Sequence, residues 1–249
     1  MITIALQGGM GNQMFQRAYG LALERRGYRV GYSKAMLIEG THREFSLGLF
    51  GDLPLGDSQY PIAREPEGIK FYSTMLQPPP TCTIVGYWQS EKYFADIADI
   101  VRKTFTLTRP LLPQPSPSIA LHVRRQDYTV LQDFHGLPSL DYYLGAVDFI
   151  RSRKGHAKVF IVSDDPQWCR ENFPADFEIV TGTTKYEDLQ TMIDCTHIVT
   201  ANSSFSWWGA WLGETPHNPD RIVVVPKRWY SSPSMADDAA LIPERWIRQ

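Results

Sequence analysis

Short apolar runs rich in β-branched residues punctuate the chain: "ITIAL" (2–6), "TIVGYW" (83–88), "SIALHV" (118–123), "KVFIVS" (158–163), "FEIVT" (177–181), "HIVTA" (197–201) and "RIVVVP" (221–226). Unbroken runs of this length read as strands. Between them lie stretches with helical spacing, over Ser139–Arg153, Pro166–Phe173, Lys185–Asp194 and Ser204–Leu212. Another follows the first run, with apolar residues at Met14, Phe15, Ala18, Tyr19, Leu21 and Ala22. Strands alternating with helices predict an α/β architecture with parallel sheets. From Thr108 the chain reads "TRPLLPQPSPS", with prolines at 110, 113, 115 and 117. Proline fixes φ and removes a donor, so this stretch reads as a linker between a domain of residues 1–112 and one of residues 113–249. The tail from Arg228 is rich in Trp, Pro and Ser and has no assignable period.

Composition narrows the class. With 249 residues, 43% hydrophobic and 21% charged, the chain can bury ordinary globular cores. A net charge of −2 argues against nucleic-acid binding, so any phosphate site must be a local arginine cluster. The cysteines, Cys82, Cys169 and Cys195, are widely spaced without a C-x-x-C, which predicts reduced, partly buried thiols. The chain opens on a strand without a basic leader or a long apolar stretch. That predicts neither signal peptide nor transmembrane segment, and a cytoplasmic location.

Four stretches carry candidate chemistry. "LQGGMGNQMFQRAYG" (6–20) is a glycine-rich turn between strand and helix, an arrangement that points backbone N–H groups at an anion. It fails as a dinucleotide fingerprint: Met14 stands where G-x-G-x-x-G needs its third glycine. The next strand candidate, "YRVGYS", ends in Ser33 and Lys34 without the required acid, and Glu39 is the first to follow. A nicotinamide-dependent oxidoreductase is therefore disfavoured.

The strand "SIALHV" runs into "RRQDY". Strand ends in an open α/β sheet face the ligand crevice, and there Arg124 and Arg125 offer planar forks suited to a diphosphate. His122 shares a strand face with Arg124 by the two-residue period. "IVSDDPQW" repeats the layout with Asp164 and Asp165; either accepts from a ribose or guanine, or caps the helix that Pro166 begins. "TANSSFSWWGAWLG" places Asn202, Ser203 and Ser204 before a helix, a second and uncharged anion seat. Its Trp207 and Trp211 lie four apart on one helical face and read as packing residues. A nucleotide diphosphate bound between two α/β domains would satisfy all four stretches.

"GGMGNQMFQ", "HVRRQDY", "VSDD", "NSSFSWWGAWL" and "PKRW", in that order, resemble the α-1,2-fucosyltransferases of glycosyltransferase family eleven in their short bacterial form. The resemblance runs from Gly8 to Trp229. It implies a GT-B fold, two Rossmann-like domains facing across a cleft, the first on the acceptor side and the second binding the GDP-sugar. It implies inverting, metal-independent transfer of fucose from GDP-fucose to the 2-hydroxyl of a galactose-ended glycan. The sequence contains no D-x-D, and no cofactor is expected.

By the same resemblance Arg124 binds the β-phosphate, His122 and Asp165 or Asp164 meet the guanosine, and Asn202, Ser203, Ser204 and Phe205 sit at the phosphates. Gly9, Gly11 and Asn12 reach the diphosphate from the first domain. Asp127 is the candidate base, although the neighbouring Arg125 lowers its basicity and an ion pair is the competing role; Glu44 and Asp52 are other candidate carboxylates. Gln126 replaces the family's usual glycine and bears on acceptor choice, as does the region 39–80. A transferase of another GDP-sugar and a non-catalytic nucleotide-sugar-binding protein are the alternatives.

Overall fold

The structure is a computed structural model that describes residues 1–56, 59–66, 70–107, 117–126, 136–231 and 239–249. Most of the proline-rich stretch, and Asp127, lie outside the described residues. The chain divides into two compact units, Met1–Thr106 with Asp237–Pro243, and Leu107–Ala236 with Glu244–Gln249.

In the first unit β1 (Ile2–Ala5) leads into α1 (Met10–Arg25), followed by β2 (Val30–Ser33), β3 (Ile62–Arg64), β4 (Cys82–Val85) and α2 (Ala98–Thr104). The strands form a sheet in the order β2-β1-β4-β3, and every pairing is parallel. All four β1 residues are buried, as expected of a strand covered on both faces. The α1 positions picked out by helical spacing, Met14, Phe15, Ala18, Tyr19, Leu21 and Ala22, are buried too. Two polar residues are buried among them. Gln13 Nε2 donates to the carbonyls of Gly8 (2.9 Å) and Glu44 (2.8 Å), while its Oε1 accepts from the N–H of Ser46 (2.9 Å). Gln16 Oε1 accepts from the N–H of Gln7 at 3.0 Å, and its Nε2 donates to Gly86 O at 3.0 Å. These bonds fasten the glycine turn to the segments beside it.

In the second unit β5 (Ser118–Val123), α3 (Leu140–Lys154), β6 (Lys158–Ser163), α4 (Pro166–Asn172), β7 (Glu178–Ile179), α5 (Lys185–Asp194), β8 (His197–Val199), α6 (Ser204–Gly213), β9 (Val223–Val225) and β10 (Ile247–Arg248) follow in order. The sheet runs β10-β9-β8-β5-β6-β7, again parallel throughout. Strands after β5 are laid to one side through β6 and β7, then to the other through β8, β9 and β10, the doubly wound order. Ile119, Leu121 and Val123 pack on Tyr143, Ala146, Val147 and Ile150 of α3. The tail without a period contributes β10 at the sheet's edge.

Helix starts carry the caps their sequences supply. Ser139 accepts from the N–H of Tyr142, and Thr184 with Glu187 forms a capping box. Arg221 closes the other ends: its guanidinium donates to the carbonyls of Met192 (2.6 Å), Ile193 (3.1 Å) and Cys195 at the end of α5, and to Gly209 (3.2 Å) within α6. A cation at a helix C-terminus meets carbonyls that have no intrahelical partner. Trp207, Trp208 and Trp211 are buried, with Trp207 and Trp211 stacked at 6.2 Å and 12°, in keeping with a packing role. Cys82, Cys169 and Cys195 are unbridged and buried.

Candidate functional site

The reversal of strand order in the second sheet falls between β5 and β8, which are hydrogen-bonded neighbours. At such a switch point the loops leave the two carboxyl ends in opposite directions and open a crevice for ligand. His122 and Arg124 stand at the end of β5, and Asn202, Ser203 and Ser204 follow β8. The His122 and Phe205 rings meet edge-on, with centroids 5.8 Å apart, which links the two sides.

Arg124 Nε lies 3.2 Å from Asp164 Oδ2, an ion pair at about one-quarter exposure for the arginine. Asp164 also accepts from the backbone N–H of Arg125 (2.9 Å) and of Gln126 (3.3 Å), so the end of β6 orients the arginine loop. The Gln126 side chain folds back as well, its Nε2 donating to Asp164 O at 2.6 Å. Arg125 has different partners. Its guanidinium lies 3.9 Å from the centre of the Trp168 ring, and its Nε is 3.4 Å from Asp165 Oδ2. Asp165 caps α4, accepting from the N–H of Trp168 at 3.1 Å. Of the two arginines and two aspartates, then, the pair Arg124–Asp164 joins the carboxyl ends of β5 and β6. The pair Arg125–Asp165 anchors the start of α4, the capping alternative for "DDP".

On the β8 side Asn202 is buried, and its Nδ2 donates to the carbonyls of Trp229 (3.0 Å) and Gly136 (3.3 Å), bracing two loops. Ser203 caps α6, its Oγ accepting from the N–H of Phe205. Ser204 and Phe205 are half-buried at the first turn of this ten-residue helix. Tyr142, which the sequence did not single out, donates its hydroxyl to Thr200 O at 2.8 Å, just past β8. An aromatic tyrosine on an amphipathic helix gives no sign in sequence that its hydroxyl will hold a strand end.

His122 is buried, and its Nδ1 has no hydrogen-bond partner among the described residues. Burial first, and then Arg124, push its pKa down to about 3. The imidazole is therefore neutral at ordinary pH, with one nitrogen donating and the other accepting. His197, at the start of β8, is pushed down to about 4 by burial and then by Lys154 and Arg221; its Nδ1 accepts from the N–H of Ile222 at 3.1 Å. Both histidines bind a proton more readily unfolded than folded. Stability is thus fully present above pH 6.5 and falls as pH drops from 6.5 toward 4. The loss is on the order of 2 kcal/mol per histidine by pH 5. Urea denaturation at pH 7 and pH 5 should show a drop in His197→Gln smaller than wild type by about that amount; equal drops would refute a depressed His197.

In the first unit the order reverses between β1 and β4. The glycine turn follows β1, with Gly8 at φ 74° and Gly9, at φ −74° and ψ 179°, preceding α1. A Cβ on Gly8 would fall 2.4 Å from Asn12 Nδ2, so the turn needs glycine there for conformation and for space. Gly11 is buried in the first turn of α1, and Asn12 Oδ1 accepts from Gln89 Nε2 at 2.7 Å. Glu44 is half-buried and Asp52 exposed.

Residues 72–249 match Glycosyl transferase family 11. The chain belongs to that family. Among its relatives, an alpha-1,2-colitosyltransferase of Escherichia coli is 27% identical, with 100% of this chain and 98% of the relative aligned. The galactoside alpha-(1,2)-fucosyltransferase 1 of Pan troglodytes is also 27% identical, over 84% of this chain and 64% of its own length. Among solved structures, fucosyltransferase NodZ from Bradyrhizobium has a TM-score of 0.46 at 14% identity, covering 84% of this chain and 91% of that one. Within this family 11 glycosyltransferase, no helix among the described residues is long and apolar enough to cross a membrane.

Proposed function

We propose that the chain transfers L-fucose from GDP-fucose to the 2-hydroxyl of a galactose-ended glycan, with inversion and without a metal. The observation that carries this reading is the arrangement at the β5/β8 switch point. Arg124, aimed by Asp164, follows β5, the N-terminus of α6 follows the neighbouring strand β8, and the His122 and Phe205 rings are in contact. A guanidinium and a helix N-terminus together suit a leaving diphosphate, on which negative charge grows as the glycosidic bond breaks. In this reading Arg124 takes the β-phosphate, and the first turn of α6 at Ser203, Ser204 and Phe205 receives phosphate oxygens. Neutral His122 offers its unpaired Nδ1 to the nucleoside. Arg125 and Asp165, both assigned to the donor from the sequence, also hold the start of α4 in place. Asp127 is the candidate base on its place in the sequence. A cytoplasmic enzyme drawing on GDP-sugars completes the proposal.

A second donor has specific support, because a relative matching the whole chain is named for colitose. Colitose is fucose without its 3-hydroxyl, so both sugars fit one reaction. The test is transfer to lactose in EDTA with GDP-fucose and GDP-colitose in parallel, with linkage read by NMR. An α-1,2-linked product from GDP-fucose is expected. A product from GDP-colitose alone moves the assignment to that sugar, activity that needs added divalent cation refutes the metal-free mechanism, and no transfer from either donor overturns the proposal.

A further inference from the structure

We propose that the carboxyl end of β4 in the first unit carries a subsite for a pyranose of the acceptor, with the Tyr87 ring as its stacking face. The inference rests on the glycosyl-transfer reading and adds where the acceptor sugar is held.

Three observations converge on the segment Gly86–Gln89. The first is its place. It leaves β4 at the sheet's own switch point, beside the glycine turn that leaves β1, where an open parallel sheet holds ligand.

The second is how firmly the segment is held. Trp88 has φ 55°, the only positive value at a non-glycine among the described residues. A bulky side chain there is strained and persists only where surroundings enforce it. Here they do. Glu65, just past β3, accepts from the N–H of Tyr87 at 2.6 Å and from that of Trp88 at 3.1 and 3.2 Å. Burial pushes this carboxyl up to about 7, against the pull of those two N–H groups. A Cβ on Gly86 would lie 2.4 Å from Glu65 Cβ, so glycine lets the carboxylate reach its donors. Trp88 itself is fully buried, with Tyr19 and Tyr93 at centroid distances of 5.0 and 5.6 Å. Gln89 then ties the segment to Asn12 of the glycine turn.

The third is what this scaffold displays. Gly86, Trp88 and Gln89 are buried, whereas Tyr87 is 42% exposed. A strained and cross-braced turn whose outward side chain is one aromatic ring fixes the point from which that ring leaves the backbone. A pyranose matches it chemically: it has an apolar face of C–H groups and a rim of hydroxyls. The ring takes the apolar face.

The test uses the full chain. Tyr87→Ala should raise KM for lactose at least tenfold while KM for the sugar nucleotide stays within twofold. Tyr87→Phe should stay within threefold of wild type for both. Saturation-transfer NMR with lactose in the absence of donor reads binding directly, with signal on ring C–H protons in wild type and Tyr87→Phe and none in Tyr87→Ala. An unchanged lactose KM or NMR signal in Tyr87→Ala overturns the subsite, as does absence of lactose binding to wild type. Tyr87-dependent lactose binding without transfer from either GDP-sugar would uphold the subsite and sink the proposed reaction instead.

Discussion

Arg124→Ala lowers kcat for sugar transfer by on the order of 10²–10³-fold, with a smaller change in KM for the sugar nucleotide. The expected size is that of removing one preorganised donor from a developing anion in a water-poor site. In the proposed reaction the effect falls on kcat because the phosphate gains charge only as the glycosidic bond breaks, so that Arg124 would bind the transition state better than the bound substrate. Arg124→Lys recovers little. The ammonium keeps the charge but lacks the planar fork, one arm of which is committed to Asp164 at 3.2 Å. Steady-state kinetics with the donor varied at saturating acceptor measures both variants. An Arg124→Ala enzyme within tenfold of wild type would remove Arg124 from the leaving-group role, and Arg125 would have to leave Trp168 to take its place.

Arg221→Ala destabilises the protein by about 3–5 kcal/mol. Hydrogen bonds to a charged group contribute about 1.5–3 kcal/mol each, and the one guanidinium serves four carbonyls on α5, its cap and α6. Truncation leaves those carbonyls partly desolvated and removes the positive charge that complements the C-terminus of α5. Arg221→Lys falls between wild type and alanine, since a compact ammonium cannot span two helices. Urea denaturation at pH 7 provides the measurement. A loss below 1 kcal/mol for Arg221→Ala would mean that the carbonyls find water or other donors and that the two helices are held by apolar packing alone.

Much of this architecture was legible from local pattern. The run "SIALHV" gives β5 over Ser118–Val123, and Lys185–Asp194 matches α5 at both ends, because strand burial and helix caps are written within a few residues. The two-residue period also placed His122 and Arg124 together, and "DDP" carried the capping alternative that Asp165 fulfils. β3 escaped notice. Its three residues, Ile62–Arg64, lie at a sheet edge with Ile62 exposed, so no buried run announces them. Nor could local pattern pair Arg125 with Trp168, or place Glu65 under Tyr87, 22 residues away. Strand order has the same character. It depends on which distant segments hydrogen-bond, and the switch points that locate both sites follow from it rather than from any motif.

The tryptophans of α6 give this fold an optical property. Trp207, Trp208, Trp211 and Trp246 form one cluster with centroid separations of 5.1–6.2 Å. Indoles this close in fixed orientations couple electronically, so their absorption and ellipticity belong to the group rather than to single residues. The helix that carries three of them has its first turn at the crevice. Emission from the cluster therefore makes α6 a built-in spectroscopic reporter, through which events at its first turn can be followed without a label.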